Sequence, residues 1–207
     1  MSEPSVDQRR DYFDQMYVTA AAGGEAVPWD RDGEPQPLLA DWAATLVGAG
    51  RTAVVVGCGL GGDAEFLARR GFVTTAFDFS PPAIEAARNL FPDSPVDYAV
   101  ADLFALPPEW AGRFDLVLES FTVQSLPRAI RPQVVDAVRS LVAPGGSALV
   151  IAGQQGHWPE AETGPWPLSG ADVDSFAGGG FTPVRVEEPA ASDGTPRWRA
   201  EFRRDPS

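Results

Sequence analysis

The sequence contains no lysine, and it has only one cysteine and one histidine, which excludes several kinds of site. All 16 basic residues are arginine, against 29 acidic residues, and the net charge is −13. This balance argues against nucleic-acid binding, which needs a basic surface to displace the counterions of the phosphates. The single cysteine, Cys58, excludes internal disulfide bonds and multi-cysteine metal sites. We therefore expect no metal centre and a small neutral or cationic ligand.

Long apolar runs are also missing from the sequence. No segment approaches the ~18 uninterrupted apolar residues that a membrane helix needs. Residues 1–7 are polar and acidic and do not resemble the apolar part of a signal peptide. We expect a cytoplasmic protein without a membrane segment. With 207 residues and 44% apolar content, the chain is long enough for one core, and we expect a single domain.

The sequence does contain a glycine-rich turn directly after a short apolar run. Residues 53–56 are Ala-Val-Val-Val, and residues 64–70 after the turn favour a helix. Glycine at such a turn permits positive φ and lets a ligand approach the backbone closely. The spacing of Gly57, Gly59 and Gly62 matches the dinucleotide fingerprint. The spacing of Gly57, Gly59 and Gly61 suits a nucleoside-binding turn equally well.

Helices and strands alternate along most of the chain. Helical patterns cover residues 5–20 and 37–47, and later helices follow the glycine turn, begin at Ser80, and cover 128–142. Towards the C-terminus, two alternating segments have no helix between them and predict an antiparallel hairpin. The predicted fold is α/β, a seven-stranded, mostly parallel doubly wound sheet with helices on both faces and a C-terminal antiparallel hairpin. The strands are predicted over 53–56, 72–77, 96–101, 114–118, 147–152, 181–188 and 197–203.

Three successive predicted strands end in an acidic residue: Asp78, Asp102 and Glu119. Ligands of open parallel sheets lie beyond the carboxyl ends of the strands. Asp78 follows Gly57 by 21 positions, the spacing at which a carboxylate binds ribose hydroxyls. Asp102, with Leu103 beside it, suits an adenine amine, and Glu119 suits a ligand ammonium or a donor on the substrate. Capping of local backbone is the alternative role for each of the three acids.

Two features weigh against a dinucleotide ligand. Asp63 stands at the start of the helix after the turn, where its charge would repel a pyrophosphate. Asp63 is either the N-cap of that helix or a ligand contact. The chain also ends in a hairpin, without a second mononucleotide-binding half.

Taken together, these motifs resemble those of class I (Rossmann-like) S-adenosylmethionine-dependent methyltransferases. Gly57–Gly61 resembles their first motif, and Phe77-Asp78-Phe79-Ser80 resembles the segment whose acid binds ribose. Ala101–Leu103 resembles the adenine-binding motif, and Pro144–Gly146 the turn before the fifth strand. The resemblance covers roughly residues 27–204. It implies S-adenosylmethionine as cofactor, with S-adenosylhomocysteine as product, bound by Trp29, Gly57, Cys58, Gly59, Gly61, Asp63, Asp78, Phe79, Asp102, Leu103 and Glu119.

Within this family, Pro28-Trp29-Asp30 and the glycine segment are similar to the thiopurine and tellurite-resistance branch. In that branch the N-terminal segment closes over the cofactor, which would place Trp29 near its methionine portion; core packing is the alternative. Val55 stands where many relatives have an acid, so Asp63, Glu119 or backbone carbonyls would hold the amino-acid end. The resemblance divides the single domain into an N-terminal covering part (1–50), a cofactor-binding core (51–152) and an acceptor-side loop with the hairpin (153–207).

The acceptor is expected to be a small molecule. The Asn-Pro-Pro-Tyr signature of amino-directed enzymes is absent after the fourth strand, and the protein is acidic. A thiol or hydroxyl acceptor is favoured over an amine, and a hydroxyl would need a general base. His157 is the candidate base, with a surface role as the alternative, while Trp158 and Trp166 either line the acceptor pocket or pin their loop.

Two other functions and one expectation on assembly complete the sequence predictions. An NAD(P)-dependent oxidoreductase and a non-catalytic S-adenosylmethionine-binding protein are the alternatives to a methyltransferase. We expect a monomer or a weak homodimer.

Overall fold

The computed structural model describes residues 3–158 and 163–206. Within them lies a seven-stranded sheet of order β3-β2-β1-β4-β5-β7-β6, in which β7 is antiparallel to both β5 and β6. The predicted mostly parallel sheet with a C-terminal antiparallel hairpin is confirmed. The strands are β1 (Thr52–Val56), β2 (Val73–Asp78), β3 (Asp97–Val100), β4 (Phe114–Ser120), β5 (Val142–Gly153), β6 (Phe181–Glu187) and β7 (Arg197–Arg204).

The helices alternate with the strands over the middle of the chain. They are α1 (Val6–Ala21), α2 (Pro37–Trp42), α3 (Gly62–Arg69), α4 (Pro81–Leu90), α5 (Arg131–Ser140) and α6 (Gly170–Asp174). In the part of the chain that the structure describes, no helix is long and apolar enough to span a membrane.

The chain divides into two compact units, an N-terminal unit (Ser5–Asp102) and a C-terminal unit (Leu103–Ser207 with Met1–Pro4). The single-domain interpretation stays a prediction. In the N-terminal unit, β1, β2 and β3 pair in parallel, with Val54 opposite Thr75 and Ala76 opposite Tyr98.

Helix α1 begins at a capping box. The Ser5 side chain accepts from the Gln8 backbone N–H, and the Gln8 side chain accepts from the Ser5 backbone N–H.

Helix α2 is shorter than the sequence predicts. It ends at Trp42, and the N–H of Ala43 donates to the carbonyls of Asp41 and Leu39. The chain then turns so that Gly48 packs against the start of β2, where an added Cβ would lie 2.3 Å from the Phe72 nitrogen. A helix continued to residue 47 would not bring Gly48 into this contact.

Strand β5 is longer than predicted and takes residues from both the predicted helix and the predicted turn. Phe114 of β4 is opposite Val142, whereas Leu116 is opposite Ser147, so a shift of register absorbs the residues between. Helix α5 accordingly ends at Ser140 instead of residue 142. Gly146 permits this close pairing, because an added Cβ would lie 2.9 Å from the Phe114 carbonyl oxygen.

The C-terminal hairpin forms as predicted and extends the sheet beyond β5. Strand β7 pairs with β5, with Val150 opposite Ala200, and β6 forms the outer edge. Phe176 stacks on Phe202 of β7 with a ring distance of 5.7 Å, and both side chains are buried. The hairpin therefore contributes apolar side chains to the core of the C-terminal unit.

Candidate active site

The glycine turn between β1 and α3 has left-handed backbone at Gly57, Gly59 and Gly61, with φ of 59°, 52° and 87°. The Cys58 N–H donates to the Phe77 carbonyl over 2.9 Å, which ties the turn to the end of β2. The free thiol of Cys58 is half-buried. The turn is therefore a fixed part of the N-terminal unit.

Asp63 is not the N-cap of α3, and that prediction is wrong. Gly61 is the N-cap, and the helix begins at Gly62. Gly61 has a left-handed backbone conformation, which glycine adopts readily, and it has no side chain to accept a capping hydrogen bond. The Oδ1 atom of Asp63 instead accepts from the Gln36 N–H over 2.6 Å, which holds the start of α2 beside the turn.

Side chains from distant parts of the unit explain why the turn needs glycine. A Cβ on Gly59 would lie 3.0 Å from the Tyr17 hydroxyl and 3.3 Å from Nε1 of Trp29. A Cβ on Gly61 would lie only 2.3 Å from the Tyr98 hydroxyl. That hydroxyl donates to Oε1 of Glu65 over 2.8 Å, and burial together with this acceptor raises the pKa of Tyr98. Sequence reasoning missed this network, because only the fold brings Tyr98 to the turn.

Asp78 is the last residue of β2 and its side chain is buried. Its Oδ2 atom accepts from the Gly59 N–H over 3.0 Å, and Oδ1 accepts from the Ser80 N–H over 3.1 Å. Burial raises the pKa of Asp78 to about 6, and the two backbone donors oppose this rise. The Ser80 side chain caps α4 by accepting from the Ala83 N–H. Asp78 in turn caps the backbone N–H of Ser80, which is the alternative role predicted for it.

Trp29 packs in an aromatic cluster above the glycine turn. Its Nε1 donates to the Tyr17 hydroxyl over 3.1 Å, and its ring lies 5.6 Å from that of Phe13. Leu60 of the turn and Ala83 of α4 belong to the same cluster. The structure thus gives Trp29 a packing role, and its contact with a cofactor stays a prediction.

Asp102 follows β3 and forms an ion pair with Arg10 of α1. The Arg10 guanidinium also lies 5.9 Å from the centre of the Phe79 ring, and Phe79 lies 6.4 Å from Phe13. The structure therefore brings three predicted residues, Gly59, Phe79 and Asp102, next to α1. Sequence reasoning missed Arg10, although its spacing from Phe13 and Tyr17 suits one face of a helix.

Two predicted cofactor residues belong to the C-terminal unit. Leu103 is 8% exposed, and Glu119 of β4 is completely buried. The Glu119 Oε1 atom accepts from the Val123 N–H over 2.8 Å, while Oε2 has no hydrogen-bond partner among the described residues. Burial raises the pKa of Glu119 to about 7, against the effect of the Val123 and Thr122 backbone donors. A completely buried carboxylate oxygen without a donor is costly unless a ligand or water satisfies it.

The loops after β4 and β5 hold the remaining aromatic residues of the prediction. Phe121 has φ of +62° and its ring lies 5.6 Å from that of Trp158. The Arg197 guanidinium lies 4.2 Å from the centre of the Trp158 ring. His157 is exposed, and its role as a base stays a prediction. Trp166 is buried, and its backbone N–H donates to the Gln124 carbonyl, which favours the loop-pinning alternative.

Comparison with known proteins decides which nucleoside-binding class this arrangement represents. The family model of a methyltransferase domain matches residues 53–146. These residues carry the glycine turn and the three acids at the strand ends. The match therefore assigns these residues to a methyltransferase domain. The prediction of the family is confirmed at this level.

Known methyltransferases also resemble the chain outside that region. A "Ubiquinone biosynthesis O-methyltransferase" from Xanthomonas axonopodis pv. citri is 35% identical over 127 residues, which cover 57% of this chain and 52% of that protein. The "2-heptyl-1-hydroxyquinolin-4(1H)-one methyltransferase" of Mycobacteroides abscessus is 27% identical over 172 residues, 79% of this chain and 73% of that protein. The chain thus spans about half the length of the first of these relatives.

A solved structure described as "Conversion of a Disulfide Bond into a Thioacetal Group during Echinomycin Biosynthesis" has the same fold. Its TM-score is 0.76 at 25% identity, over 96% of this chain and 94% of that chain. The fold shared with that structure therefore extends over nearly the whole of this chain.

The side chains of the methyltransferase domain fit S-adenosylmethionine, its cofactor. Gly59 is buried, and Tyr17 and Trp29 lie on the side where a Cβ would stand. Asp78 is fixed beside this turn, and the buried Oε2 atom of Glu119 lacks a donor. Among the described residues, no group of three or more His, Cys, Asp or Glu side chains is placed to hold a metal ion.

Proposed function

We propose that this protein transfers a methyl group from S-adenosylmethionine to the hydroxyl or thiol of a small molecule. The observation that carries the proposal is the bond between Asp78 and Gly59, which joins the ribose-binding acid to the glycine turn over 3.0 Å. This contact fixes a carboxylate at the end of β2 beside the glycine turn. A nucleoside that places its ribose hydroxyls on Asp78 would then lie along the turn.

Each part of the cofactor has candidate partners in this chain. Asp78 would accept from the ribose hydroxyls, and Asp102 from the adenine amine, with Phe79 and Leu103 against the ring. Oε2 of Glu119 is a suitable acceptor for the ammonium of the methionine portion, because it is buried and has no described donor. The remaining contacts are proposed for Trp29, Gly57, Cys58, Gly59, Gly61 and Asp63.

When bound, this cofactor supplies a methyl group on a positively charged sulfur. The chain's own contribution is to hold the acceptor in line with that group and to exclude water, which accounts for most of the acceleration in such transfers. A thiol acceptor, with an ordinary pKa near ~8.5, needs little help to ionise. A hydroxyl acceptor would give its proton to a base, and His157 is the residue we propose for that step.

The oxygen- or sulfur-directed proposal is supported by the name of the ubiquinone-biosynthesis relative, which is an O-methyltransferase. Membership of the thiopurine and tellurite-resistance branch remains a proposal, supported by Pro28-Trp29-Asp30 and by the aromatic cluster around Trp29.

We also propose that the protein acts in the cytoplasm as a monomer or weak homodimer. We propose that it does not bind nucleic acid, because its net charge is −13.

The test has a binding arm and an activity arm. S-adenosylhomocysteine should raise the melting temperature of the wild-type protein, whereas NAD should not, because a ligand stabilises the folded state to which it binds. Asp78→Asn should weaken S-adenosylhomocysteine binding at least ~10-fold, since the ribose loses a charged acceptor. The control is Asp97→Asn, an exposed acid in the same unit, which should bind like the wild type.

In the activity arm, release of S-adenosylhomocysteine is measured with a panel of thiols, phenols and amines. Turnover with a thiol or phenol supports the proposal, and a preference for amines contradicts the acceptor class. Stabilisation by NAD instead of S-adenosylhomocysteine would overturn the proposed function.

A further inference from the structure

One face of α1 contacts three predicted cofactor-binding elements of the N-terminal unit. Arg10, Phe13 and Tyr17 stand three and four residues apart, so they lie on the same side of the helix. Arg10 pairs with Asp102, the Phe13 ring lies 6.4 Å from that of Phe79, and the Tyr17 hydroxyl approaches Gly59. This face therefore borders the ends of β3 and β2 and the glycine turn after β1.

Arg10 is the member of this face that is open to a ligand. Its side chain is 32% exposed and that of Asp102 is 33% exposed, whereas Tyr17 is only 5% exposed. The Arg10 guanidinium also lies 5.9 Å from the centre of the Phe79 ring. An ion pair this exposed contributes little to stability. Stability alone thus gives little reason for a guanidinium at this position.

The chemistry of the pair matches the edge of adenine. Adenine presents an amino donor at N6 beside an acceptor at N7. A carboxylate accepts several hydrogen bonds at once, so Asp102 can hold Arg10 and the amine together. A guanidinium offers planar donors that suit a ring nitrogen, and it stacks readily on flat rings.

We propose that Arg10 and Asp102 together recognise the adenine base, with Asp102 accepting from N6 and Arg10 donating to a ring nitrogen. Arg10 is then a further adenine-binding residue, supplied by α1, while Asp102 sets the preference for adenine over other bases. This inference rests on the proposed function, because it concerns the same nucleoside site. Hypoxanthine is the base that tests this assignment. It has an oxygen acceptor in place of the N6 amine, and the Asp102 carboxylate would repel that oxygen.

The two residues should respond differently to the two bases. Without Asp102, the hypoxanthine oxygen and N7 together suit the planar donors of Arg10, as the corresponding atoms of guanine suit arginine. Removal of Asp102 should therefore shift the preference towards hypoxanthine. Removal of Arg10 should weaken adenine binding while Asp102 continues to reject hypoxanthine.

The experiment measures the dissociation constants of S-adenosylhomocysteine and S-inosylhomocysteine by calorimetry. We expect the wild type to prefer the adenine compound by at least ~100-fold, and Asp102→Ala to reduce this preference below ~10-fold, in line with the cost of one misplaced base contact. Arg10→Ala should weaken S-adenosylhomocysteine binding ~10-fold, the loss expected for one charge-assisted hydrogen bond. Arg10→Gln, which keeps a donor and a long side chain, should recover part of that loss.

The control is Arg128→Ala, which removes another exposed arginine that pairs with an acid, Glu3. It should leave both dissociation constants unchanged. Equal weakening of both ligands by Arg10→Ala and Asp102→Ala, with an unchanged preference, would show that the pair only supports α1. Thermal melting of each variant establishes that it is folded. If the wild type binds neither compound, the proposed function itself fails; if it binds normally and Arg10→Ala and Arg10→Gln do too, only this inference fails.

Discussion

Individual glycines on either side of α3 are required for two separable reasons, backbone conformation and space. Gly61 and Gly71 have nearly the same φ, 87° and 86°. A Cβ at Gly61 would lie 2.3 Å from the Tyr98 hydroxyl, whereas one at Gly71 would have its nearest contact at an ordinary 3.5 Å. We predict that Gly71→Ala lowers the free energy of unfolding by about 1–2 kcal/mol through strain alone. Gly61→Ala should cost at least about 1 kcal/mol more, since Tyr98 must move.

Urea denaturation of both variants measures this difference, and a double-mutant cycle identifies its cause. Tyr98→Phe removes the hydroxyl that the new methyl group would meet, so it should cost less in the Gly61→Ala background than in the wild type. The same cost in both backgrounds would show that Tyr98 does not impose glycine at this position.

At the scale of helices and strands, local sequence patterns predicted most elements but not their ends. The alternating hairpin strands formed as their residues indicated. The predicted end of α2 and the predicted start of β5 were wrong, because tertiary contacts determine where these two elements end and begin. Gly48 packs closely against the Phe72 backbone, and α2 ends before it. The pairing of Phe114 with Val142 extends β5 through a Pro-Gly-Gly sequence that is typical of a turn.

The same distinction applies to the candidate site. Acids at strand ends were predictable, because parallel strands bring their carboxyl ends to one edge of a sheet. Arg10 and Tyr17 were not predictable, since their helix carries polar neighbours and nothing local indicates what it packs against. The role of Asp63 was also set from a distance, by the Gln36 N–H.

The loop after β4 is an element whose conformation suggests a role in acceptor binding. Phe121 holds a left-handed φ of +62°, which is unfavourable for a large side chain, and its ring lies 5.6 Å from that of Trp158. Bonds from loop backbone to Glu119 hold the segment in place. We infer that this strained backbone conformation positions the Phe121 ring to contact the acceptor.

We predict that Phe121→Gly raises the KM for the best acceptor about 10-fold while the dissociation constant of S-adenosylhomocysteine stays unchanged. Glycine relieves the backbone strain, so the stability of the protein should change little. Steady-state kinetics and calorimetry measure the two quantities. The control is Val184→Ala, which truncates an exposed apolar side chain on β6. An unchanged KM in Phe121→Gly would place the ring outside the acceptor site.

For the molecule as a whole, the buried acids should make stability depend on pH. Burial raises the pKa of Glu119 from its ordinary 4.5 to about 7 and that of Asp78 from 3.8 to about 6. Between these values each carboxyl ionises in the unfolded chain but keeps its proton in the folded protein. The unfolded state then binds fewer protons, so the free energy of unfolding falls as pH rises through this window.

We predict that Glu119→Gln makes this decline shallower. Glutamine keeps an oxygen to accept from the Val123 N–H, and it stays neutral at every pH. A shift from 4.5 to about 7 corresponds to about 3 kcal/mol that the wild type loses between pH 4.5 and pH 8 and the variant does not. Urea denaturation at several pH values measures both curves, and Glu109→Gln, an exposed acid of the same unit, should follow the wild type. Parallel curves for the wild type and Glu119→Gln would mean that Glu119 is ionised throughout, in which case its buried Oε2 must already have a donor in solution.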